Sequence, residues 1–114
     1  MNQNRTIQKI QKILNNLNIY YRLIKIHGGP HQEAGLPDLL LLMRRGDQTR
    51  VAWLELKSSW TDRPTSLQRW NVESSLRKFG VRTAYAVGEE VKTTWEQDTP
   101  VSLTVWLEEV LAGR

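Results

Sequence analysis

The apolar residues of the first 18 positions repeat with the period of an α-helix. They recur every three or four positions between Arg5 and Asn18, at Ile7, Ile10, Ile13, Leu14 and Leu17. This spacing predicts an amphipathic helix, and Asn4 can serve as its N-cap. At about 100° per residue, Arg5, Lys9 and Lys12 share the opposite face. That face is either a solvated surface or a ridge that contacts phosphates.

Three further apolar runs predict three strands. The first, "IYYRLIKIH", is rich in β-branched and aromatic residues and is followed by the loop "GGPHQEAG". The runs "DLLLLM" and "RVAWLELKS" then flank the short turn "RRGDQT", which predicts an antiparallel hairpin. Residues 39–43 and 51–56 are nearly continuous apolar runs, which are typical of strands covered on both faces in the middle of a sheet.

The second half of the chain predicts helix, strand and helix. Thr65 or Ser66 can cap a helix that runs to Phe79 and ends at Gly80. "VRTAYAV" is a further strand, and a short helix is expected near residues 89–95. A longer helix with Pro100 near its start carries an apolar stripe of Leu103, Trp106, Leu107, Val110 and Leu111. The order is α-β-β-β-α-β with helical additions, in a single α/β domain over residues 1–114.

Composition narrows the possible chemistry. The chain has no cysteine, which excludes disulfides and thiolate metal sites. No apolar run reaches the roughly 18 residues needed to span a bilayer, and the N-terminus lacks the apolar core of a signal peptide. We therefore expect a soluble cytoplasmic protein with no membrane contact. Sixteen Lys and Arg against twelve Asp and Glu give a net charge of +4, which is compatible with a polyanionic partner without requiring one.

Three charged residues interrupt the apolar strands, although burying a charge is costly unless it is paired or bound to a metal. Glu55 and Lys57 are two residues apart, so they point to the same face of their strand as Trp53 and Val51. Asp38 opens the neighbouring strand, where hairpin pairing can bring it within reach of Glu55. The pattern therefore predicts two carboxylates beside one ammonium group.

Converging carboxylates repel each other in a partly dry site, and one of them protonates unless a cation is present. Lys57 can neutralise only one of the two charges. Oxygen ligands without cysteine suit a hard ion, so Mg²⁺ is the natural addition, and Mn²⁺ can substitute. Such an ion acidifies bound water, which Lys57 could orient or deprotonate, as phosphodiester hydrolysis requires. The alternative is that Asp38 only ends a loop and that Glu55 pairs with Lys57 on a half-exposed strand.

Four segments carry a resemblance to a known family, in the order "GLPDLLLLM", "AWLELKS", "TSLQRW" and "KFGVRTAYAVGEEV". They resemble the VRR-Nuc domain, the virus-type replication and repair nuclease of the PD-(D/E)xK superfamily. The resemblance runs from about Ile7 to Val91. It implies a restriction-endonuclease-like α-β-β-β-α-β core, with a central mixed sheet flanked by helices and an extra C-terminal helix. It also implies an Mg²⁺-dependent DNA endonuclease, and fits a phage-encoded DNA-repair protein.

The resemblance assigns roles to individual residues. Asp38 and Glu55 become the metal-ligating acids, with the backbone carbonyl of Leu56 as an additional ligand. Lys57 becomes the catalytic lysine, and Gln68 becomes a catalytic-site residue that reaches in from the helix.

The position of Gln68 can be tested on the helical pattern itself. Gln68, Asn71 and Ser75 form a polar stripe between apolar flanks, which indicates that the stripe points inward. The alternative is a set of buried amides that hydrogen-bond only to the backbone.

The first helix departs from the family pattern. Family members often carry a glutamate there, whereas Asn4, Arg5 and Thr6 occupy that neighbourhood and no acid precedes Glu33. Glu33, in the loop before Asp38, is a candidate replacement ligand, the alternative being a solvated loop acid. His27 and His31 in the same loop are candidate substrate contacts or plain surface residues.

DNA binding requires basic residues near the site. We expect Arg44, Arg45, Arg50, Arg63 and Arg69 to lie there, with Lys9 and Lys12 on the first helix as further candidates and Arg22 and Lys25 as additions. The resemblance implies a homodimer that acts on branched DNA such as four-way (Holliday) junctions. Surplus apolar surface, including the Trp106 helix, could support dimerisation, unless Trp53, Trp70 and Trp106 fill the core. A nuclease-fold DNA-binding module without turnover and an RNA-cleaving relative stay open as alternatives.

Overall fold

The amphipathic N-terminal segment forms helix α1 (Gln3–Asn16) in the computed structural model, which describes residues 3–26 and 33–114. Its apolar stripe faces the core, and Ile10 and Leu14 are fully buried. The predicted N-cap at Asn4 is wrong, because the helix already includes Gln3 and Asn4 lies within its first turn. The chain turns after the helix at Asn18, whose φ of 55° is a conformation that asparagine tolerates.

Within the described residues, six strands form one mixed sheet in the order β1-β2-β3-β4-β5-β6. Only β3 and β4 are parallel, and every other neighbouring pair is antiparallel. The strands are β1 (Tyr20–Lys25), β2 (Leu39–Arg45), β3 (Gln48–Leu56), β4 (Arg82–Val87), β5 (Glu90–Lys92) and β6 (Val101–Ser102). The predicted α/β class is confirmed.

The predicted hairpin of β2 and β3 is confirmed, with a tighter turn than expected. Arg45 pairs with Gln48, so only Gly46 and Asp47 connect the strands. Gly46 has a φ of 63°, which a two-residue hairpin turn favours and which glycine adopts without steric cost. From Leu39 to Met43, alternate residues of β2 are buried and the others half-buried, so both faces of this part are covered as predicted, whereas Arg44 and Arg45 are exposed.

Parallel pairing of β3 and β4 requires a crossover, which the predicted helix of residues 65–79 supplies. It begins as α2 (Ser66–Trp70), continues through a π-helical turn (Asn71–Ser75) and ends as a 3₁₀ turn (Leu76–Phe79), and the three together form the α2 segment. Thr65 caps its start, and Gly80, with a φ of 80°, ends it. The predicted boundaries are therefore confirmed.

The expected short helix near residues 89–95 is wrong. Gly88, with a φ of 57°, reverses the chain directly after β4, and Glu90 then pairs with Val87 to form β5. Tertiary pairing to the sheet thus determines the conformation of this segment. The C-terminal helix is confirmed as α3 (Leu103–Leu111), capped by the Ser102 hydroxyl, and all five residues of its predicted stripe are buried.

The helices cover both faces of the sheet. Side chains of α1 and α3 pack with the main core of β2, β3 and β4. The α2 segment lies against the other face, where Val72, Tyr85 and Trp95 form a second cluster. None of the helices in the described ranges has the length and apolarity to cross a membrane.

Candidate functional site

The carboxyl ends of the parallel strands β3 and β4 lie at the same edge of the sheet, and antiparallel β2 begins there. Asp38 precedes β2, and Glu55 and Lys57 lie at the end of β3. Glu55 is 2% exposed and Lys57 is 8% exposed. The structure thus brings together the three charged residues that the sequence singled out, at one edge and largely away from solvent.

Pro37 ends the hydrogen-bond ladder between β2 and β3 at this edge. Leu39 pairs with Leu54, so the register two residues earlier places Pro37 opposite Leu56. Proline has no N–H to donate to the Leu56 carbonyl, and the ladder ends there. The Leu56 N–H donates instead to Asp38 Oδ2 at 3.1 Å, which fixes the Asp38 carboxylate beside the end of β3.

The Glu55 carboxylate is only partly satisfied. Its Oε2 lies 3.5 Å from Lys57 Nζ. Its Oε1 is buried and has no hydrogen-bond partner among the described residues. An unpartnered buried carboxylate oxygen is costly, and such atoms are rare in folded proteins.

Burial raises the pKa values of both acids, and the charge of Asp38 raises the pKa of Glu55 further. The pKa of Glu55 is raised to about 8, first by burial and then by the negative charge of Asp38, with Lys57 opposing both effects. Burial also raises the pKa of Asp38, against the opposing effects of the Leu56 N–H, of Lys57 and of a hydrogen bond with the protonated Glu55. Without a cation, Glu55 therefore retains a proton near neutral pH.

The oxygen atoms at this edge fit a hard divalent cation. Asp38, the unpartnered Oε1 of Glu55 and the Leu56 carbonyl are all hard donors, as Mg²⁺ and Mn²⁺ prefer. Within residues 3–26 and 33–114, no group of three or more His, Asp or Glu side chains converges. The candidate ligand set consequently consists of two carboxylates and a carbonyl.

The loop before Asp38 carries three further candidate residues. Glu33 is exposed in that loop, and its role as a replacement ligand stays a prediction. His27 and His31 lie outside the described residues.

Gln68 reaches Lys57 because of the local geometry of the helix start. Its backbone N–H donates to the Thr65 hydroxyl, and its Oε1 accepts from the Thr65 N–H at 2.9 Å, which is a capping box. The same Oε1 accepts from Lys57 Nζ at 3.2 Å. The predicted inward direction of Gln68 is confirmed, and it holds the ammonium group in place.

Asn71, in the same polar stripe, plays a different part. Its buried amide donates to the carbonyl oxygens of Gly35, at 3.0 Å, and Leu67, at 3.3 Å. For Asn71, therefore, the alternative interpretation is confirmed: it is a buried amide that hydrogen-bonds to the backbone. Through Gly35, it ties the loop that leads to Asp38 to the helix.

Gln3 is a site residue that the sequence reasoning missed. Its Nε2 donates to the Leu56 carbonyl at 3.1 Å, across 53 residues of sequence. A signal was present, because Gln3, Ile7, Ile10 and Leu14 follow the spacing of one helical stripe. A polar residue at the end of an apolar stripe indicates a polar contact with the element that the stripe packs against, and here that contact is partly buried.

The hairpin arginines lie at the wrong end of the sheet for direct contact with the site. Arg44, Arg45 and Arg50 flank the β2–β3 turn, whereas Asp38 and Glu55 lie at the other end of the same strands. Five residues separate Leu39 from Arg44, which corresponds to about 17 Å along a strand. The expectation that these arginines lie near the site is wrong, because an antiparallel hairpin places its turn opposite its open end.

Several cations on the site side of the sheet are paired with acids. Arg63 and Arg69 both contact Glu96 Oε1, at 2.8 and 3.3 Å. Lys9 lies 3.1 Å from Glu89, and Arg5 contacts the same carboxylate. Arg5 lowers the pKa of Glu89, with a further contribution from Lys9, and Arg63 lowers the pKa of Glu96, with a smaller contribution from Arg69. The remaining candidates, Lys12, Arg22 and Lys25, are exposed, and Lys25 lies at the site end of β1, opposite Leu39, without an ion pair among the described residues.

The tryptophans divide between core and surface. Trp106 is buried, and Trp53 is half-buried with its Nε1 bonded to the Pro37 carbonyl at 2.9 Å. Trp70 is 51% exposed and lies on α2 next to the exposed Leu67. Apolar surface is therefore present beside Gln68.

Comparisons with protein-family models, with curated proteins and with solved structures find no match to this chain. The resemblance to the VRR-Nuc domain rests on the four segments that carry it, and stays a prediction.

Proposed function

We propose that this chain is a metal-dependent DNA endonuclease of the VRR-Nuc type, with a restriction-endonuclease-like core. The observation that carries the proposal is the buried Glu55, whose Oε1 has no partner and which lies beside Asp38 and Lys57. Apart from the salt bridge to Lys57, this carboxyl group can be satisfied without a cation only by keeping its proton and hydrogen-bonding to Asp38. A divalent cation would satisfy it and would replace the proton that Glu55 otherwise retains.

The residues divide the chemistry between them. Asp38, Glu55 and the Leu56 carbonyl would hold Mg²⁺ or Mn²⁺. When bound, such an ion would acidify water and offset negative charge on a phosphoryl oxygen. Lys57 can donate to a phosphate oxygen or orient the attacking water, since its ammonium group is fixed between Glu55 and Gln68. Gln68 would act by positioning Lys57.

A polyanionic substrate fits the charge of the chain. A cleft of about 440 Å³ begins at the residue after Lys57 and is lined by Arg5, Ser58, Ser59, Trp60, Val87, Glu89 and Glu90. The net charge of +4 favours a nucleic acid. Branched DNA as substrate and action as a homodimer follow from the family resemblance, and the exposed Trp70 and Leu67 supply apolar surface for such a contact.

A second candidate is a nuclease-fold module that binds DNA without cleaving it. The observation that favours it is the small ligand set, two carboxylates and a carbonyl within the described residues. Fewer charged ligands lower the affinity for a divalent ion.

Cleavage assays separate the two candidates. The wild type, Lys57→Ala and Glu55→Gln would be incubated with Mg²⁺ or Mn²⁺ and a four-way junction, linear duplex, single-stranded DNA or RNA. We expect wild-type cleavage of DNA, and a loss of about 100-fold or more in both variants while DNA binding persists. Glu109→Gln, an exposed change on α3, is the control that should keep full activity.

Failure of the wild type to cleave any DNA with either metal would overturn the endonuclease. Retained DNA binding would then support the binding module, and cleavage of RNA alone would indicate an RNA-cleaving enzyme.

A further inference from the structure

Side chains hold both polar groups of the Leu56 backbone at the open edge of the sheet. Because Pro37 lies opposite and cannot donate, the Leu56 carbonyl has no ladder partner. Asp38 accepts from the Leu56 N–H at 3.1 Å, and Gln3 donates to the carbonyl at 3.1 Å. The Leu56 backbone thereby connects the start of α1 to Asp38, directly after Glu55 in the chain.

Gln3 is held in this position by the packing of its helix. One turn further along, Thr6 is fully buried and its hydroxyl donates to the Gly88 carbonyl at 2.7 Å. Ile10 follows in the core. The first turn of α1 is therefore anchored at the end of β4, and the Gln3 side chain is directed toward the end of β3.

We propose that Gln3 is the residue of α1 that completes the cation site and sets the affinity of the site for the ion. Its neutral amide holds the Leu56 carbonyl as a ligand beside Asp38 and Glu55 and contributes no charge. This inference rests on the proposed function, and it assigns to α1 a positioning residue for the ion. A glutamate at this position would have nearly the same shape with one more negative charge.

The two states of the site respond in opposite ways to that charge. Without a cation, Gln3→Glu loses the donor to the Leu56 carbonyl and adds a carboxylate close to Asp38 and Glu55, so the fold loses stability. With a cation, the added carboxylate attracts the ion, because affinity rises with the charge of the ligands. A purely structural contact would give the first effect without the second.

The test measures binding of Mn²⁺ alone to the 114-residue chain, by titration calorimetry and by the metal-induced shift in melting temperature. We expect Gln3→Glu to bind Mn²⁺ at least about 10-fold more tightly than the wild type. We expect Gln3→Leu to bind about 10-fold more weakly, since it leaves the carbonyl without its partner. The matched control is Gln11→Glu, which adds the same charge at an exposed position about 12 Å further along α1.

The other outcomes each count against a specific step. Equal Mn²⁺ affinity of the wild type and both Gln3 variants, with binding abolished in Glu55→Gln, would overturn the role of Gln3 and leave the proposed function standing. An equal gain in Gln11→Glu would also overturn it, because total charge would explain the effect. Absence of Mn²⁺ binding in both the wild type and Gln3→Glu would overturn the inference together with the metal dependence of the proposed function.

Discussion

The Glu55 carboxyl group lies at the end of β3 with one oxygen bonded to Lys57 and the other without a partner among the described residues. Burial and the Asp38 charge raise its pKa from an ordinary value of 4.5 to about 8. The folded chain therefore binds a proton at Glu55 between these two pH values, where the unfolded chain releases it. A group of this kind stabilises the fold at low pH, and its contribution is lost as the pH rises through about 8.

We expect the free energy of unfolding of the metal-free protein to fall between about pH 5 and pH 8. Glu55→Gln should reduce the total change in the free energy of unfolding over this pH range by a few kcal/mol, since an amide carries no titrating proton. Urea unfolding at a series of pH values in the presence of a chelator measures it. Glu109→Gln should keep the wild-type slope, and an unchanged slope in Glu55→Gln would show that Glu55 does not carry the effect.

At the scale of elements, the α2 segment positions the loop that leads to Asp38. Asn71 donates to the Gly35 carbonyl, and Leu67 packs directly against Gly35. Gly35 has a φ of 80°, and a Cβ there would lie 2.6 Å from Leu67 Cγ and 3.0 Å from its Cβ. A rotamer change of Leu67 cannot remove the second contact, so loop and helix would have to separate.

Gly35→Ala should therefore destabilise the fold more than Gly80→Ala. Both glycines have a φ of 80°, but a Cβ at Gly80 meets nothing within 4 Å. The backbone cost is common to both, and the clash at Gly35 should add about 1–3 kcal/mol. Urea unfolding of the two variants measures the difference, and equal losses would show that the loop accommodates the methyl group freely.

At the scale of the whole molecule, the sheet separates two groups of cations. The hairpin group, Arg44, Arg45 and Arg50, lies about five residues along the strands from the acids. On the site side, Arg63 and Arg69 share Glu96, and Arg69 also pairs with Glu73. Acids thus reduce the positive potential on the side where a DNA strand would have to approach.

Glu96→Gln should strengthen DNA binding, because it releases Arg63 to contact phosphates, while Arg69 keeps its ion pair with Glu73. We expect affinity at low salt to rise several-fold and the slope of log affinity against log salt to steepen by about 1. Fluorescence anisotropy with a labelled junction measures both. Glu109→Gln is the control, because it changes the net charge by the same amount near the hairpin end. A larger gain in DNA affinity in Glu109→Gln than in Glu96→Gln would indicate that DNA binds at the hairpin instead.

Local patterns were sufficient for much of the fold. The helical stripe of α1, the turn signals around Gly46 and the glycine stop at Gly80 depend on neighbouring residues, and all three predictions are confirmed. The error near residues 89–95 has the opposite cause, since β5 exists only because β4 and β6 pair with it. The positions of Arg44 and Arg50 were predicted wrongly because proximity along the chain was taken for proximity in space.

The sequence by itself determined the order of elements and the candidate chemistry, because side-chain period and residue type are local properties. It also determined that Glu55 and Lys57 share a face, since strand residues alternate. Only the tertiary structure decided that Glu55 is buried with an unpartnered oxygen, and that Gln3 reaches a carbonyl 53 residues away. Burial and long-range hydrogen bonds depend on which elements pack together, and no local pattern specifies that.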